Sequence, residues 1–291
     1  MKRILFLGST GFLGSEILTN ISDNYEILEI NYKQNYSSNK ISTKKLKTKI
    51  KFIQKFKPEI VIDFAWYGIP DYSLKNALKN VNDKLYIYDL FLKIKSIKKI
   101  IVAGSCMEYM NRNKVCVEKD KVSYANYLNW SKLSVMNYIS NRCSTLKKKF
   151  IWLRIFYAYG EGQRRTSIIP HIINSIISKK KPNIKNMNNY NDYIHKKDIS
   201  FLVRKIITKD IESGVYNIGT GKSVSVNKIC SCIYKIFKIK KPRFNYKGRK
   251  IKFLANIDKI SKATGWKPKI FLNEKVLKSI IIDEKKKIYN N

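Results

Sequence analysis

Lys2-Arg3-Ile4-Leu5-Phe6-Leu7-Gly8-Ser9-Thr10-Gly11-Phe12-Leu13-Gly14 is the stretch that decides the fold. The apolar run Ile4–Leu7 has the character of a strand buried on both faces, as in a parallel sheet. It stops at Gly8, and Gly11 and Gly14 follow at intervals of three. Ser15-Glu16-Ile17-Leu18 then reads as helix. Strand, Gly-rich turn and helix in that order form the setting in which backbone cradles a dinucleotide. Gly8 permits the sharp turn, Gly11 the approach of a pyrophosphate, and Gly14 close packing of helix on strand. The pyrophosphate would rest on free N–H groups at the helix start, with Thr10, Phe12 and Leu13 around it. Glycines in such turns often serve the turn alone. Their place directly after a strand puts nucleotide binding ahead of that plainer reading.

The length of 291 residues suits one large domain or two modest ones, and a hydrophobic content of 44% is that of a globular chain. No apolar stretch is long enough to span a bilayer, and Lys2-Arg3 leads straight into the first strand, so a cytoplasmic protein without a membrane role is expected. Cys106, Cys116, Cys143, Cys230 and Cys232 show no zinc-ligand spacing, and His171 and His195 are the only histidines. No metal site is expected. Lys and Arg number 59 against 21 acids, a net charge of +38. That balance raises nucleic acid as a partner. Only nine of the 59 are Arg, however, and the Lys are spread along the whole chain. A solvated basic surface, with no nucleic-acid partner, is the expected meaning. Its field would also help draw in a polyanion such as a nucleotide.

A second strand is expected over Tyr25–Ile30. In dinucleotide folds an acid about twenty residues after the Gly-rich turn grips the adenosine ribose. Here that place holds Asn31, followed by Tyr32 and Lys33, with Glu29 two residues earlier. A carboxylate would repel a 2′-phosphate, whereas Asn31 and Lys33 would accept one. The reading therefore favours NADP over NAD. Residues 34–56 read as a loop and a short amphipathic helix. Glu59-Ile60-Val61-Ile62-Asp63-Phe64-Ala65-Trp66 reads as a further buried strand. From Ser73, Leu74, Ala77, Leu78, Val81, Leu85, Tyr88 and Leu92 recur at helical spacing. Lys98–Ala103 is the next strand, closing on Gly104-Ser105-Cys106-Met107-Glu108-Tyr109. This alternation predicts an α/β fold with a doubly wound parallel sheet.

With these pieces in order, the chain resembles the extended short-chain dehydrogenase/reductases, the nucleotide-sugar epimerase, dehydratase and reductase group. The resemblance runs almost end to end. It continues through Ser131-Lys132, Leu153-Arg154-Ile155-Phe156-Tyr157-Ala158-Tyr159-Gly160-Glu161-Gly162-Gln163, Ile169-Pro170, Asn191-Asp192-Tyr193-Ile194-His195 with Asp198, Val215–Gly221, and Thr264-Gly265-Trp266-Lys267-Pro268. It implies a Rossmann-type domain over 1–161, with about 195–212 packing back onto it. A smaller C-terminal α/β substrate domain would comprise 162–194 and 213–291.

The resemblance implies a Ser, a Tyr and a Lys as the chemical group. The Ser position is Ser105 and the Lys position is Lys132. The Tyr position, four residues before Lys132 and on the same helix face, holds Leu128, which can neither donate nor accept a proton. Three readings stay open. Tyr127 swings in from an irregular helix start, which is preferred; Tyr124 reaches in from the preceding loop; or the proton donor is gone and the chain is an altered or binding homologue. Phe64, Ala65, Trp66 and Phe156 are expected along the dinucleotide. Cys106, Met107, Tyr157 and Ile169 are expected along a nucleotide-diphosphate sugar, with Arg164 and Arg249 suited to its phosphates. His195 reads as a structural hydrogen-bonder and Trp266 as core.

Family dehydratases carry an Asp-Glu pair where this chain has Cys106-Met107, which disfavours elimination. The expectation is an NADP(H)-dependent reductase of a nucleotide-activated 4-keto sugar, serving surface polysaccharide synthesis. The alternatives are a 4-epimerase with bound NAD and a non-catalytic binding homologue. The resemblance also implies a homodimer.

Overall fold

The computed structural model describes residues 1–31, 40–244 and 250–289. In chain order it runs β1 (Arg3–Leu7), α1 (Phe12–Ile21), β2 (Glu26–Asn31), β3 (Lys40–Ser42), α2 (Leu46–Phe56), β4 (Ile60–Asp63), α3 (Leu74–Leu92), β5 (Lys99–Ala103), β6 (Val115–Cys116), α4 (Tyr127–Thr145) and β7 (Lys149–Ile155). It continues through β8 (Tyr157–Tyr159), α5 (Ile168–Ile177), β9 (Tyr190–His195), α6 (Lys196–Thr208), β10 (Gly214–Ile218), β11 (Ser223–Ser225), α7 (Val226–Ile236), β12 (Lys252–Ala255), α8 (Asp258–Thr264) and α9 (Glu274–Tyr289).

β1 lies inside a seven-stranded parallel sheet of order β10-β7-β5-β4-β1-β2-β3. Its alternation feeds two cores. Ile4 and Phe6 pack on one face with Ile17 and Ile21 of α1 and Leu202 and Ile206 of α6. Leu5 and Leu7 pack on the other with Ile53 of α2, Tyr88 of α3 and Val135 of α4. Both faces are covered, so the strand needs no polar side and reads as an unbroken apolar run. The chain leaves β1 toward β2 and β3, then returns to β4 on the other side. The strand order thus reverses beside β1, and ligands of such sheets bind outside the carboxyl ends of the strands at that reversal. Gly8 follows β1 there, Phe64 follows β4, and Ser105 lies just beyond β5.

A smaller sheet of order β11-β9-β12-β6, with β8 also paired to β9, stands beside this layer. Helices α5, α7 and α9 build its core from Ile169, Ile172, Ile173, Ile229, Ile233, Leu277 and Ile280. The domain division expected from the sequence needs two corrections. β10 belongs to the large sheet, where Tyr216 sits opposite Leu153 of β7, and Ile260 of α8 and Trp266 join the same core. Conversely β6 and β8, expected in the first domain, pair with β12 and β9 of the second sheet. The physical reason is backbone pairing: β10 satisfies the otherwise open edge of β7. α6 packs on α1, where Asn20 Nδ2 donates to Ser200 Oγ at 3.0 Å and Ser200 Oγ donates to the Glu16 carbonyl at 3.0 Å.

Candidate active site

The Gly-rich turn is built by contacts that exclude side chains. Gly8 has φ +80°, and a Cβ there would lie 2.5 Å from the Ala65 backbone nitrogen. A Cβ on Gly14 would lie 1.9 Å from the Gly8 carbonyl oxygen. Gly11 is the N-cap of α1, where no side chain caps the helix and no acid sits in the first turn. The turn thus presents Thr10 and Gly11 exposed and Phe12 and Leu13 half-buried around an open helix start. That arrangement fits a pyrophosphate.

At the end of β2, Asn31 is 7% exposed, and among the described residues its Nδ2 has no hydrogen-bond partner. Glu29 is already engaged: its carboxylate accepts from the Ser9 hydroxyl and lies 3.6 Å from Lys40 Nζ. A buried amide donor without an acceptor is costly, and a bound adenosine ribose would supply the acceptor. Lys33 lies outside the described residues, as does Arg249.

The turn reaches the chemistry through residues 64–66. Asp63, at the end of β4, accepts from the Ala65 N–H at 2.9 Å and from Tyr88 Oη at 2.7 Å. It also binds Lys84 Nζ, and both ion-pair partners are buried. This fixes Trp66, whose ring lies 3.9 Å from Lys132 Nζ. Phe64 and Ala65 form the wall against which Gly8 packs.

Helix α4 clasps the loop after β5 on both sides of Ser105. Lys132 Nζ donates to the Ala103 carbonyl at 3.0 Å, and Asn129 Nδ2 donates to the Met107 carbonyl at 2.7 Å. Ser105 is half-buried; its Oγ accepts from the Met107 N–H at 3.1 Å, which leaves its own hydrogen available to a substrate oxygen. Its N–H donates to Glu108 Oε1 at 2.7 Å. Glu108 is fully buried and also receives Arg154 Nε at 2.8 Å and Trp152 Nε1 at 3.1 Å. The Glu108 carboxylate is therefore a support for the Ser105 loop. Burial lowers Lys132 from its usual value to about 8; Glu108 opposes this, Lys84 adds to it and Asp63 opposes it.

The preferred source of the missing phenol, Tyr127, does not come to this face. An irregular start of α4 is required for that, and the start is regular: Asn126 caps it by accepting the Asn129 N–H at 2.9 Å. One residue is about 100° of helix, so Tyr127 points away from Leu128 and stays 50% exposed. Tyr124 is equally exposed, and its hydroxyl accepts from Asn137 Nδ2 at 3.3 Å.

Tyr157, Arg164 and Ile169 come together around a cavity of about 400 Å³, with Tyr72, Gln163, Asn189 and Asn191 also on its wall. Gln163 Oε1 and Asn189 Oδ1 are buried acceptors with no partner among the described residues. Cys106 and Met107 are not part of that wall. Cys106 is 4% exposed, and burial pushes its thiol far up. Phe156, expected under the nicotinamide, is 2% exposed and packs on Phe253 at 5.0 Å, so it belongs to the core. Arg165, the next residue after Arg164, donates to the Lys287 carbonyl at 3.3 Å. His195 is a cap of α6: its Nδ1 accepts the Lys197 N–H at 3.3 Å. Trp266 Nε1 donates to the Asp198 carbonyl at 3.1 Å inside the core. Asn129, Gln163 and Asn189 were not singled out by sequence; only Asn129, three residues before Lys132, carried a signal, as a neighbour on the same face.

Among known proteins, the chain is 26% identical to the dTDP-4-dehydro-6-deoxyglucose reductase of Escherichia coli over 95% of this chain and 97% of that one. The UDP-glucuronic acid 4-epimerase of Bacillus cereus, solved with NAD, superposes with a TM-score of 0.85 at 19% identity, covering 98% of this chain and 99% of that one. The dTDP-glucose 4,6-dehydratase of Bacillus anthracis, also solved with NAD, gives 0.83 at 19% identity, covering 98% and 97%. These superpositions show a shared fold. Residues 4–219 match the model of the NAD dependent epimerase/dehydratase family, and it is to this family that the chain belongs.

Proposed function

We propose that the protein is an NADP(H)-dependent reductase of a nucleotide-diphosphate 4-keto-6-deoxy sugar. The observation that carries this reading is Asn31. It stands where an acid would select NAD, and its buried amide nitrogen is free among the described residues to donate. Glu29 does not substitute for that acid, because Ser9 and Lys40 hold its carboxylate. A coenzyme that carries the 2′-phosphate suits an enzyme that consumes reducing equivalents. The dinucleotide, when bound, exchanges hydride with the sugar carbon. Gly11 leaves room for its pyrophosphate over the turn that Gly8 and Gly14 keep tightly packed, Ser105 donates a hydrogen bond to the keto oxygen, and Lys132 orients the nicotinamide end. The cavity beside Tyr157, Arg164 and Ile169 takes the nucleotide sugar. The Escherichia coli relative, named for reduction of a dTDP-4-keto sugar, supports the same chemistry. Cys106-Met107 in place of two acids argues against dehydration.

The test is loss of NADPH absorbance with a panel of CDP-, dTDP- and GDP-4-keto-6-deoxy sugars. Turnover with one nucleotide is the expected result; no turnover with any, alongside interconversion of a nucleotide hexose at C4, would establish the epimerase instead. Asn31→Asp tests the coenzyme part. Two like charges about 4 Å apart cost ~1 kcal/mol in water and ~4 kcal/mol at an effective dielectric of 20. The NADPH-to-NADH affinity ratio should fall by roughly tenfold or more, as read by equilibrium fluorescence titration. An unchanged ratio would remove Asn31 from coenzyme selection.

A further inference from the structure

We propose that the groove between α6 and residues 265–269 is a second nucleotide site. It takes a free nucleoside triphosphate, with the base on Phe201 and the phosphates on Arg204, Lys205, Lys267 and Lys269. The inference goes beyond the reductase reading and does not depend on it. The groove shares no wall residue with the sugar cavity. α6 builds one side of it. Ile199, Leu202, Val203, Ile206 and Ile207 are buried against the large sheet. Phe201, Arg204, Lys205 and Thr208 recur at helical spacing on the opposite face. Asp198, in the first turn of α6, pins the segment after α8 across that stripe. Its carboxylate accepts the Lys269 N–H at 3.0 Å and the Ile270 N–H at 2.8 Å, and its carbonyl accepts Trp266 Nε1 at 3.1 Å. The result is a concave cavity of about 530 Å³, a size suited to a small molecule.

The wall asks for an anion that carries a flat ring. Arg204, Lys205, Lys267 and Lys269 are exposed, and among the described residues no carboxylate pairs with any of them. Asp198, the acid on this wall, is 1% exposed and its oxygens are taken by backbone N–H groups. Arg204 and Lys205 also suit the carboxyl-terminal end of α6. Lys267 and Lys269 lie outside any helix and gain nothing there. A lone exposed apolar side chain is commonplace. Phe201, however, is 49% exposed inside a concave wall, and among the described residues its ring meets no other ring and no cation. Gly265 keeps the facing side open: its φ is +66°, and a Cβ there would meet nothing within 4 Å. Arg and Lys match phosphate oxygens, Arg through parallel N–H groups. An aromatic ring stacks any nucleobase. Four cations match the charge of a triphosphate, whereas a single phosphate would leave most of them unanswered. The site is remote from the chemistry. The end of α6 is tied to the start of β5, where Lys99 Nζ donates to the Ile206 carbonyl at 2.8 Å and the Lys209 carbonyl at 2.7 Å. Ser105 lies beyond the other end of that strand.

The test is isothermal titration calorimetry with ATP, GTP, CTP and dTTP, near physiological salt and with NADPH saturating so that the Gly-rich turn is filled. At least one of the four should bind with one site per chain. Phe201→Ser should weaken it roughly tenfold or more, the scale of one base–aromatic stack. The double variant Arg204→Glu, Lys267→Glu should weaken it roughly a hundredfold or more, since two attractions become repulsions. Arg164→Ala, on the sugar cavity, should leave it unchanged. The replaced side chains of the groove are exposed, so melting temperature and NADPH affinity should stay at wild-type values. No binding by any of the four nucleotides, or binding that Phe201→Ser and the charge reversal leave untouched, would overturn the proposal. Inorganic tripolyphosphate bound as tightly as the nucleotide would do so too, because the ring would then contribute nothing. A nucleotide lost with Arg164→Ala and kept with Phe201→Ser would belong to the sugar cavity and equally overturn it. A short oligothymidylate bound more tightly than any triphosphate, through Phe201, would make the groove a nucleic-acid site instead. The readout is binding, so its failure leaves the reductase reading standing, and absence of keto-sugar turnover leaves this proposal standing.

Discussion

Arg154→Met is expected to destabilise the protein by about 3–5 kcal/mol, the cost of removing one partner from a buried ion pair. Arg154 is 3% exposed and Glu108 fully buried, with Nε and Oε2 2.8 Å apart. The guanidinium also covers the Tyr109 ring at 4.6 Å and donates to the Glu118 carbonyl at 3.0 Å. Without it, a carboxylate is left in the interior with Trp152 and the Ser105 N–H as its hydrogen-bond donors among the described residues. The damage should reach the chemistry, because Glu108 holds the backbone of Ser105. The double variant Glu108→Gln, Arg154→Met removes both charges and should recover more than half of the loss. Urea denaturation measures both. A loss below about 1 kcal/mol in the single variant, the scale of an exposed pair, would mean that the pair does not support this loop.

Gly14→Ala should be as severe for a different reason. Its Cβ would sit 1.9 Å from the Gly8 carbonyl oxygen and 2.7 Å from the Gly8 carbonyl carbon. Backbone stands against backbone, so no side chain can swing aside. Overpacking costs typically 1–3 kcal/mol, and this contact belongs at the upper end or beyond. The turn must open, and NADPH affinity should fall by roughly a hundredfold. Gly11→Ala separates the two effects. Its Cβ meets only the Gly8 oxygen, at 3.3 Å, so folding should be nearly unaffected while binding is lost where the pyrophosphate approaches. Thermal melting with and without NADPH reads both quantities. A Gly14→Ala protein that melts and binds like wild type would contradict the packing described for the turn.

The Gly-rich turn was legible in the sequence because steric exclusion leaves a mark that no other residue can carry. Gly8 and Gly14 are glycine for reasons of space, and their spacing shows through the surrounding composition. The apolar run of β1 was equally plain, because a strand covered on both faces has no solvent side to carry polar residues. Ser105 and Lys132 were named through resemblance alone, and the structure puts Lys132 Nζ of α4 3.0 Å from the Ala103 carbonyl, two residues before Ser105. The supports of that loop were hidden. Glu108 finds Arg154 at a separation of 46 residues, and Asp63 finds Lys84 at 21; no local periodicity marks either pair. The domain division failed at β10 for a related reason. A five-residue strand signals that it is a strand, but only the open edge of β7 decides which sheet takes it. Tyr127 failed because the sequence leaves the start of α4 undetermined, and the Asn126 cap determines it.

The most direct test of the reductase account is transfer of label from reduced coenzyme. NADPH carrying deuterium at nicotinamide C4 would be incubated with the nucleotide-diphosphate 4-keto-6-deoxy sugar that turns over in the panel, and the product read by mass spectrometry and NMR. The account predicts one deuterium at sugar C4 for each NADPH oxidised. Inversion at C4 of a nucleotide hexose, with no coenzyme consumed and no label gained, would contradict it.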